Sequence, residues 1–363
     1  MASWHRQQDT APYETAEFIV SGIIPIVLIV IGTIGNFTCI AILLNKQNRE
    51  ASTNIYLMFL CLMDTISLYQ WNLNHVFYTM TNGKRKVFGR SIILCKFGQF
   101  FGFYTLHTSA MFLTFVQLDR AFLLRSRWYK AKIAHPRVAL IICAIILITL
   151  FGLNGFLFGL GFEYSKYNNS TGTEEIRVAC YYSKDSKLDN FFRVQYTWIH
   201  LVVMYIVPFS VIIFCTLLIV KKIIIKQTFT NDQLAMSAQR NRRISIMLLF
   251  MCFTYIITTL PNRLCFSVFE KQLVGHDYTD TVFLATNTLM YTRNSLNAFF
   301  LYLSVNCFRR DVRRLLLICW RKLTGQPILQ ENNANEHVGR MKTFREPLKT
   351  VVNTMPIKKT TQL

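Results

Sequence analysis

Residues able to do chemistry are sparse in this chain, and most of them sit inside apolar sequence. The seven histidines (His5, His75, His107, His135, His200, His276 and His337) show no metal-ligand spacing. There is no nucleophile–base arrangement and no phosphate loop. An enzyme reading therefore has no support. What stands out is a series of polar residues within long apolar runs: Asn36, Asp64, His107, Ser109, Asp119-Arg120, Arg293, Asn294 and Asn297. A charge or an amide in hydrocarbon is costly, so each is by default a functional candidate. His107 is the exception, since a histidine at mid-run is more often a hydrogen-bonded packing residue than a ligand.

The elements that carry these residues must cross a membrane. Of 363 residues, 52% are hydrophobic and only 16% charged, against about 25% charged in ordinary soluble domains. Apolar runs cover residues 18–44, 55–78, 92–124, 138–162, 196–225, 244–269 and 282–303. Each is long enough to span as a helix. The stretch from Cys95 to Arg120 alone would measure roughly 37 Å, against a hydrocarbon core of ~30 Å. The first run is far longer than a signal-peptide core of ~7–15 residues, so it reads as a retained anchor. The expected fold is an all-α membrane protein, a seven-transmembrane helix bundle over residues 18–306. Polar residues 1–17 precede it; an amphipathic helix over 307–320 and a disordered tail over 321–363 are expected to follow.

Net charge is +21. In a soluble protein that would suggest nucleic acid; here the basic residues cluster at the ends of apolar runs, as membrane orientation requires, and no nucleic-acid role is read. Lys46/Arg49, Arg125/Arg127/Lys130/Lys132/Arg137, Lys221/Lys222/Lys226/Arg240/Arg242/Arg243 and Arg309/Arg310/Arg313/Arg314 would face the cytoplasm. An odd number of spans then puts the N-terminus outside. Lys84, Arg85, Lys86 and Arg90 violate that rule. Overlapping sequons at Asn168 and Asn169 fall in the longest outer loop and are candidate glycosylation sites. Phe308, Val312, Leu315, Leu316 and Cys319 recur at helical spacing opposite arginines, the pattern of a helix lying on the bilayer, and Cys319 is a palmitoylation candidate. The terminal Thr361-Gln362-Leu363 resembles the tails that add a strand to a PDZ scaffold domain.

Asn36, Asp64, Ser109, Asp119-Arg120, Pro208, Pro261, Asn294 and Asn297 fall, helix by helix and in order, where class A (rhodopsin-like) G-protein-coupled receptors carry their signature residues. The resemblance covers about residues 18–320. It implies an extracellular ligand, heterotrimeric G proteins and arrestin as partners, and a disulfide between Cys95 and Cys180, with two free thiols as the alternative. It also implies that the sixth helix swings outward around Pro261 while Arg120 leaves Asp119 to meet the G protein. Trp128, eight residues past Arg120, would be a hydrophobic anchor of that interface, or else a membrane-interface tryptophan. Asp64, Ser109, Asn294 and Asn297 would form the family's sodium pocket. Arg293, one turn before Asn297, counts against the ion: it would supply the positive charge internally, or alternatively point upward toward the ligand. The chain departs from the family in Ala121, in Thr259 for the sixth-helix tryptophan, in Thr216 for the fifth-helix tyrosine, and in Asn297-Ala298-Phe299-Phe300-Leu301. Asn241 stands where many members have an acid to lock Arg120.

Gly102 occupies the aminergic aspartate's place and Tyr291 that of the retinal lysine, which argues against both ligands. The remaining mouth is aromatic and polar: Gln99, Phe103, Tyr104, Tyr196, Trp198, His200, Asn262, Arg263, Phe266, Phe283, Asn287 and Tyr291. With a tyrosine-rich outer loop able to form a hairpin above it, this resembles neuropeptide receptors, including the FMRFamide-type receptors of invertebrates. Arg263 is the candidate for an acidic group of the ligand; a pair with Glu270 is the alternative. Against the receptor reading stand a seven-helix transporter or channel, and a receptor-like protein that no longer signals.

Overall fold

The computed structural model describes residues 13–45, 50–81, 86–168, 173–224, 232–304 and 306–324. Backbone polar groups cannot be left unpaired in hydrocarbon, so each apolar run closes its hydrogen bonds within itself as a helix. Helix α1 is Glu14–Leu43, α2 Ser52–Met80, α3 Ile92–Arg125, the short α4 Arg127–Lys132, and α5 Pro136–Asn154, continued by a 3-10 stretch, Gly155–Gly159. Helix α6 passes through Ser186–Asn190, Phe191–Gln195, Tyr196–Leu201, Val202–Ile206 and Val207–Ile224; α7 is Asp232–Ser267. The seventh span is two pieces, α8 (Thr279–Thr292) and α9 (Asn297–Ser304), joined by a tight 3-10 turn, Arg293–Ser295. Helix α10, Asn306–Thr324, leaves the bundle unit at Val312; residues 313–324 belong to a second unit and are helical there.

The helices outrun the apolar runs that announce them. α1 starts at Glu14, α6 at Ser186 and α7 at Asp232, where apolarity alone marks 18, 196 and 244. Hydropathy sees only the part that meets hydrocarbon, whereas the hydrogen-bond ladder continues into polar turns beyond it. Conversely, among the described residues only Glu14–Leu43, Pro136–Gly159, Ser186–Lys221 and Arg242–Phe266 are apolar enough to qualify as spans by composition. α2 and α3 fall short because they bury polar side chains between helices, and α8 because the Arg293–Ser295 turn ends it after 14 residues. α3 is the axis of the bundle, packed against α2, α5 and α6. It encloses Phe100, Phe112 and Val116 beside Thr105, His107, Ser109 and Gln117. Ile34, Ile148, Leu217 and Ile257 lie exposed on the outer surface, an apolar belt suited to lipid.

Two prolines shape the ends that matter. A proline has no N–H for the carbonyl four residues back, so the helix loosens just before it. Pro25 follows the π stretch Ile19–Ile23, and Pro208 follows the π stretch Val202–Ile206. Between α5 and α6, β1 (Phe162–Asn168) and β2 (Thr173–Ala179) pair antiparallel, Phe162 opposite Ala179, so this loop is the hairpin expected of it. Its base is fixed by a Cys95–Cys180 disulfide to the first turn of α3. Gly161 is required there: its φ is +90°, and a Cβ would come within 3.2 Å of Cys95 Sγ. At the same end, Arg193 donates to Asp189 at 2.6 Å, an ion pair one turn apart that steadies the polar start of α6.

Candidate functional site

The site is a column of polar and aromatic residues along α3, in three layers. At the Asp119 end, the carboxylate accepts hydrogen bonds from Ser52 Oγ (2.9 and 3.0 Å), from Thr53 Oγ1 and from Tyr129 OH (3.0 Å). These hydroxyls tie Asp119 of α3 to α2 and α4. Burial, and then the charge of Asp119, push the Tyr129 hydroxyl well above its usual value, so it remains a donor. Arg120 is buried beside it. One turn up, Gln117 Nε2 donates to Leu248 O at 2.9 Å and to Cys252 Sγ at 2.8 Å, tying α3 to α7. Trp128, on α4, is 65% exposed. Pro261 lies inside α7. Asn241 lies on the same helix, and its side chain is outside the described residues.

The middle layer is the polar core. Asp64 accepts from Ser109 Oγ and, at 2.6 Å, from Asn297 Nδ2, which also reaches Asn36 Oδ1 at 3.2 Å. Asn36 Nδ2 donates to Asn294 O at 2.9 Å. The 3-10 turn swings Arg293 inward, so the guanidinium points into the core rather than up toward the mouth. Its Nη1 lies 3.0 Å from Ser109 Oγ and 3.9 Å from Asp64 Oδ1, and its carbon sits 4.8 Å from the centre of the Tyr255 ring. Arg293, Asp64, Asn297, Thr254 and Tyr255 line a cavity of about 10 Å³, the room of a single water. The Asn294 side chain is buried and makes no hydrogen bond among the described residues. Tyr255 in turn donates its hydroxyl to Met204 O, the carbonyl that Pro208 leaves without its helical partner.

The third layer is the mouth, at the Cys95 end. Phe103 packs edge-on to Tyr181, Phe192, Tyr196 and His200. His107 shares a 2.7 Å hydrogen bond with His200 and a 3.0 Å one with Asn154 Oδ1, which also accepts from Tyr196 OH. His107 is thus a fully hydrogen-bonded bridge between α3, α5 and α6. Asn262 donates to Asn287 at 2.8 Å, Phe266 packs on Phe283 at 4.5 Å between ring centres, and Tyr291 stacks on Trp71 at 5.8 Å. The Arg263 guanidinium sits 5.3 Å over the Tyr205 ring, and among the described residues no carboxylate pairs with it. The Glu270 pair is therefore not formed.

Two mouth assignments need correction. Gln99 is fully buried: its Nε2 donates to Leu157 O and Leu160 O, and its Oε1 accepts from Tyr181 N. Its amide braces the hairpin and is not available to a ligand. Trp198 is 65% exposed, on the opposite face of α6 from Tyr196 and His200, as two residues' separation on a helix requires. Tyr104 is buried, its hydroxyl on Leu147 O. Gly102 gives room to Gln70, whose Nε2 would lie 2.8 Å from a Cβ there. Asn168 closes β1, while Asn169, residues 1–12 and residues 325–363, with Thr361-Gln362-Leu363, lie outside the described residues, as does the Cys319 side chain.

Sequence reasoning passed over Ser52, Thr53, Gln117, Tyr129, Asn154 and Tyr255. For Gln117 and Asn154 the signal was present: each is an amide inside an apolar run, the same criterion that singles out Asn36.

Residues 35–300 match the family described as 7 transmembrane receptor (rhodopsin family). Neuropeptide Y receptor type 6 of Mus musculus is 25% identical over 328 residues, covering 87% of this chain and 84% of that protein. A purinoceptor of Mus musculus is 25% identical over 256 residues, 69% of this chain and 64% of its own. Cysteinyl leukotriene receptor 2 of Homo sapiens is 24% identical over 263 residues, 69% and 71%. The chain belongs to the rhodopsin family of seven-transmembrane receptors. It is a G-protein-coupled receptor, a multi-pass protein of the plasma membrane answering an extracellular ligand, and not an enzyme.

Proposed function

We propose that the ligand is a peptide, received at the Cys95 end on the outside, and that heterotrimeric G proteins engage the Asp119 end in the cytoplasm. The observation that carries the reading is Arg263: a cation over an aromatic ring, with no carboxylate of its own among the described residues, at the wall of an aromatic mouth under a disulfide-pinned hairpin. Such a wall suits a peptide bearing an acidic group among apolar side chains. The similarity to neuropeptide Y receptors supports a peptide, and the FMRFamide-type likeness belongs to the same proposal. The basic residues at the Asp119 end support the orientation, which leaves the N-terminus outside. Trp128, exposed on α4, is the anchor for the G protein.

Sodium has no part in this reading, because the residues present do not fit the ion. Arg293 stands 3.9 Å from Asp64 and leaves room for one water. Arrestin binding, glycosylation at Asn168 or Asn169, palmitoylation of Cys319 and a PDZ contact through Leu363 complete the proposal and rest on sequence alone.

The test is agonist-dependent G-protein dissociation in transfected cells, screened with a peptide library at matched surface expression. Acid-bearing peptides should activate the wild type. Arg263→Gln should lower their potency about tenfold or more, and Trp128→Ala should lower the maximal response without shifting ligand affinity. Equal potencies on Arg263→Gln would remove the acid from the account. A response intact in Trp128→Ala would remove the anchor.

A further inference from the structure

The hydrogen bonds from Asn154 to His200 run in a single direction. Leu150 O is a carbonyl and can only accept, so the Asn154 atom 2.6 Å from it is Nδ2. The amide oxygen faces the other way. It accepts from Tyr196 OH and lies 3.0 Å from His107 Nδ1, which therefore carries a hydrogen. His107 is fully buried, and its two ring partners are an amide and an imidazole, with no carboxylate to balance a charge. It is neutral, so its Nε2 is bare and accepts. The partner of that nitrogen at 2.7 Å, His200 Nδ1, then donates. His200 has one hydrogen and spends it on this bond. Its Nε2 makes no hydrogen bond among the described residues. The ring is half-buried in the mouth wall, edge-on to Phe103 at 5.2 Å and to Tyr205 at 5.9 Å between centres. Arg263 sits over the same Tyr205 ring. A second hydrogen on His200 would be an N–H without an acceptor, on a cation beside another cation, so Nε2 presents a lone pair.

We infer that Asn154 and His107 are positioning residues that set what the mouth accepts. They hold His200 as a hydrogen-bond acceptor, and the ligand answers it with an uncharged O–H or N–H donor, of the kind a phenol or an indole side chain carries. The ligand's part in this rests on the peptide reading proposed above; the place of the hydrogen does not. A ring that carries its own donor suits the aromatic surroundings of His200. A cationic donor is turned away by Arg263, whose charge suits an acidic group of the same ligand. Arg263 and His200 thus read two different groups on either side of the Tyr205 ring. The residue that fixes this choice, Asn154, is fully buried at the end of α5 and out of a ligand's reach. Without its oxygen, His107 is free to carry its hydrogen on Nε2 and donate to His200 Nδ1. The His200 hydrogen then moves to Nε2, and the mouth offers a donor in place of an acceptor.

The experiment uses the full-length receptor in nanodiscs, with histidine labelled at its ring nitrogens, and reads by NMR which of them carry hydrogen at neutral pH. In the wild type, His107 and His200 should both be protonated at Nδ1 and bare at Nε2. Asn154→Leu should move the His200 hydrogen to Nε2, whereas Tyr196→Phe, which leaves the Asn154 oxygen to His107 alone, should not. Three probes are then titrated: para-cresol, skatole, and para-methylanisole, which has the cresol ring without its donor. Cresol or skatole should perturb the His200 Nε2 signal at concentrations roughly tenfold below the anisole, and the tighter of the two assigns the ring. That preference should vanish in Asn154→Leu. A wild-type His200 with hydrogen on Nε2 overturns the relay, whether or not any variant folds. An unmoved hydrogen in Asn154→Leu overturns Asn154 as the positioning residue, and equal binding of the three probes overturns the donor. A peptide library without an activating member would remove the peptide reading and leave these measurements standing.

Discussion

A single arginine sets the chemistry of the core. Arg293 is 7% exposed at the depth of Asp64, and two features keep its charge there: the Ser109 hydroxyl, which relays to the carboxylate, and the Tyr255 ring face. An arginine cannot discharge itself by losing a proton, so the pair must balance within the bundle. Breaking a buried pair by removing one member costs about 3–5 kcal/mol, because the other charge is left alone. Arg293→Ala should therefore leave a carboxylate that recruits a cation. Thermal unfolding of the purified receptor, with sodium chloride exchanged for choline chloride at constant ionic strength, reads this without any agonist. The wild type should unfold at the same temperature in both salts. Arg293→Ala should be destabilised in choline and regain several degrees in sodium. A wild type that depends strongly on sodium would mean the guanidinium does not hold the pocket.

Pro208 and Tyr255 show how one helix answers a break in another. Pro208 leaves Met204 O without a helical donor, and the Tyr255 hydroxyl from α7 fills the place. A buried carbonyl without a partner costs about 1–3 kcal/mol, so Tyr255→Phe should lower stability by about that amount. In a Pro208→Ala background the backbone N–H restored at that position can serve Met204 O, and the same tyrosine change should cost less; a thermal-unfolding double-mutant cycle measures the difference. Additive costs would mean that the two residues are unrelated. Elements of this kind mark the limit of reading from sequence. The spans were legible because apolar length has one solution in lipid, and Asp64, Asn36 and Asn297 because amides and charges in hydrocarbon need a reason. The inward turn of Arg293 was open between two directions, since it depends on a 3-10 break that no local signal announces. The hydroxyls around Asp119 escaped notice because Ser52 and Thr53 on α2 and Tyr129 on α4 resemble ordinary loop hydroxyls in the sequence.

Across the whole molecule, the resemblance implies that signalling separates the end of α7 from α3, and a polar link stands directly in the way. Gln117 Nε2 reaches both Leu248 O and Cys252 Sγ on α7, three residues from Arg120. Its Oε1 is buried without a hydrogen bond among the described residues, so the side chain is held by the donor end alone. The link exists only while the two helices are close, and its loss costs the separated state nothing. Removing it should shift the population toward separation by the net worth of one buried hydrogen bond, about 1 kcal/mol, or roughly fivefold in the ratio of states. Gln117→Leu keeps the volume and deletes the donor. It should raise ligand-free G-protein dissociation several-fold at matched surface expression, while Gln117→Met, which likewise has no donor for Leu248 O, should do the same. Basal signalling unchanged in both variants would show that α7 is held by its apolar packing and that the Gln117 amide only fills space.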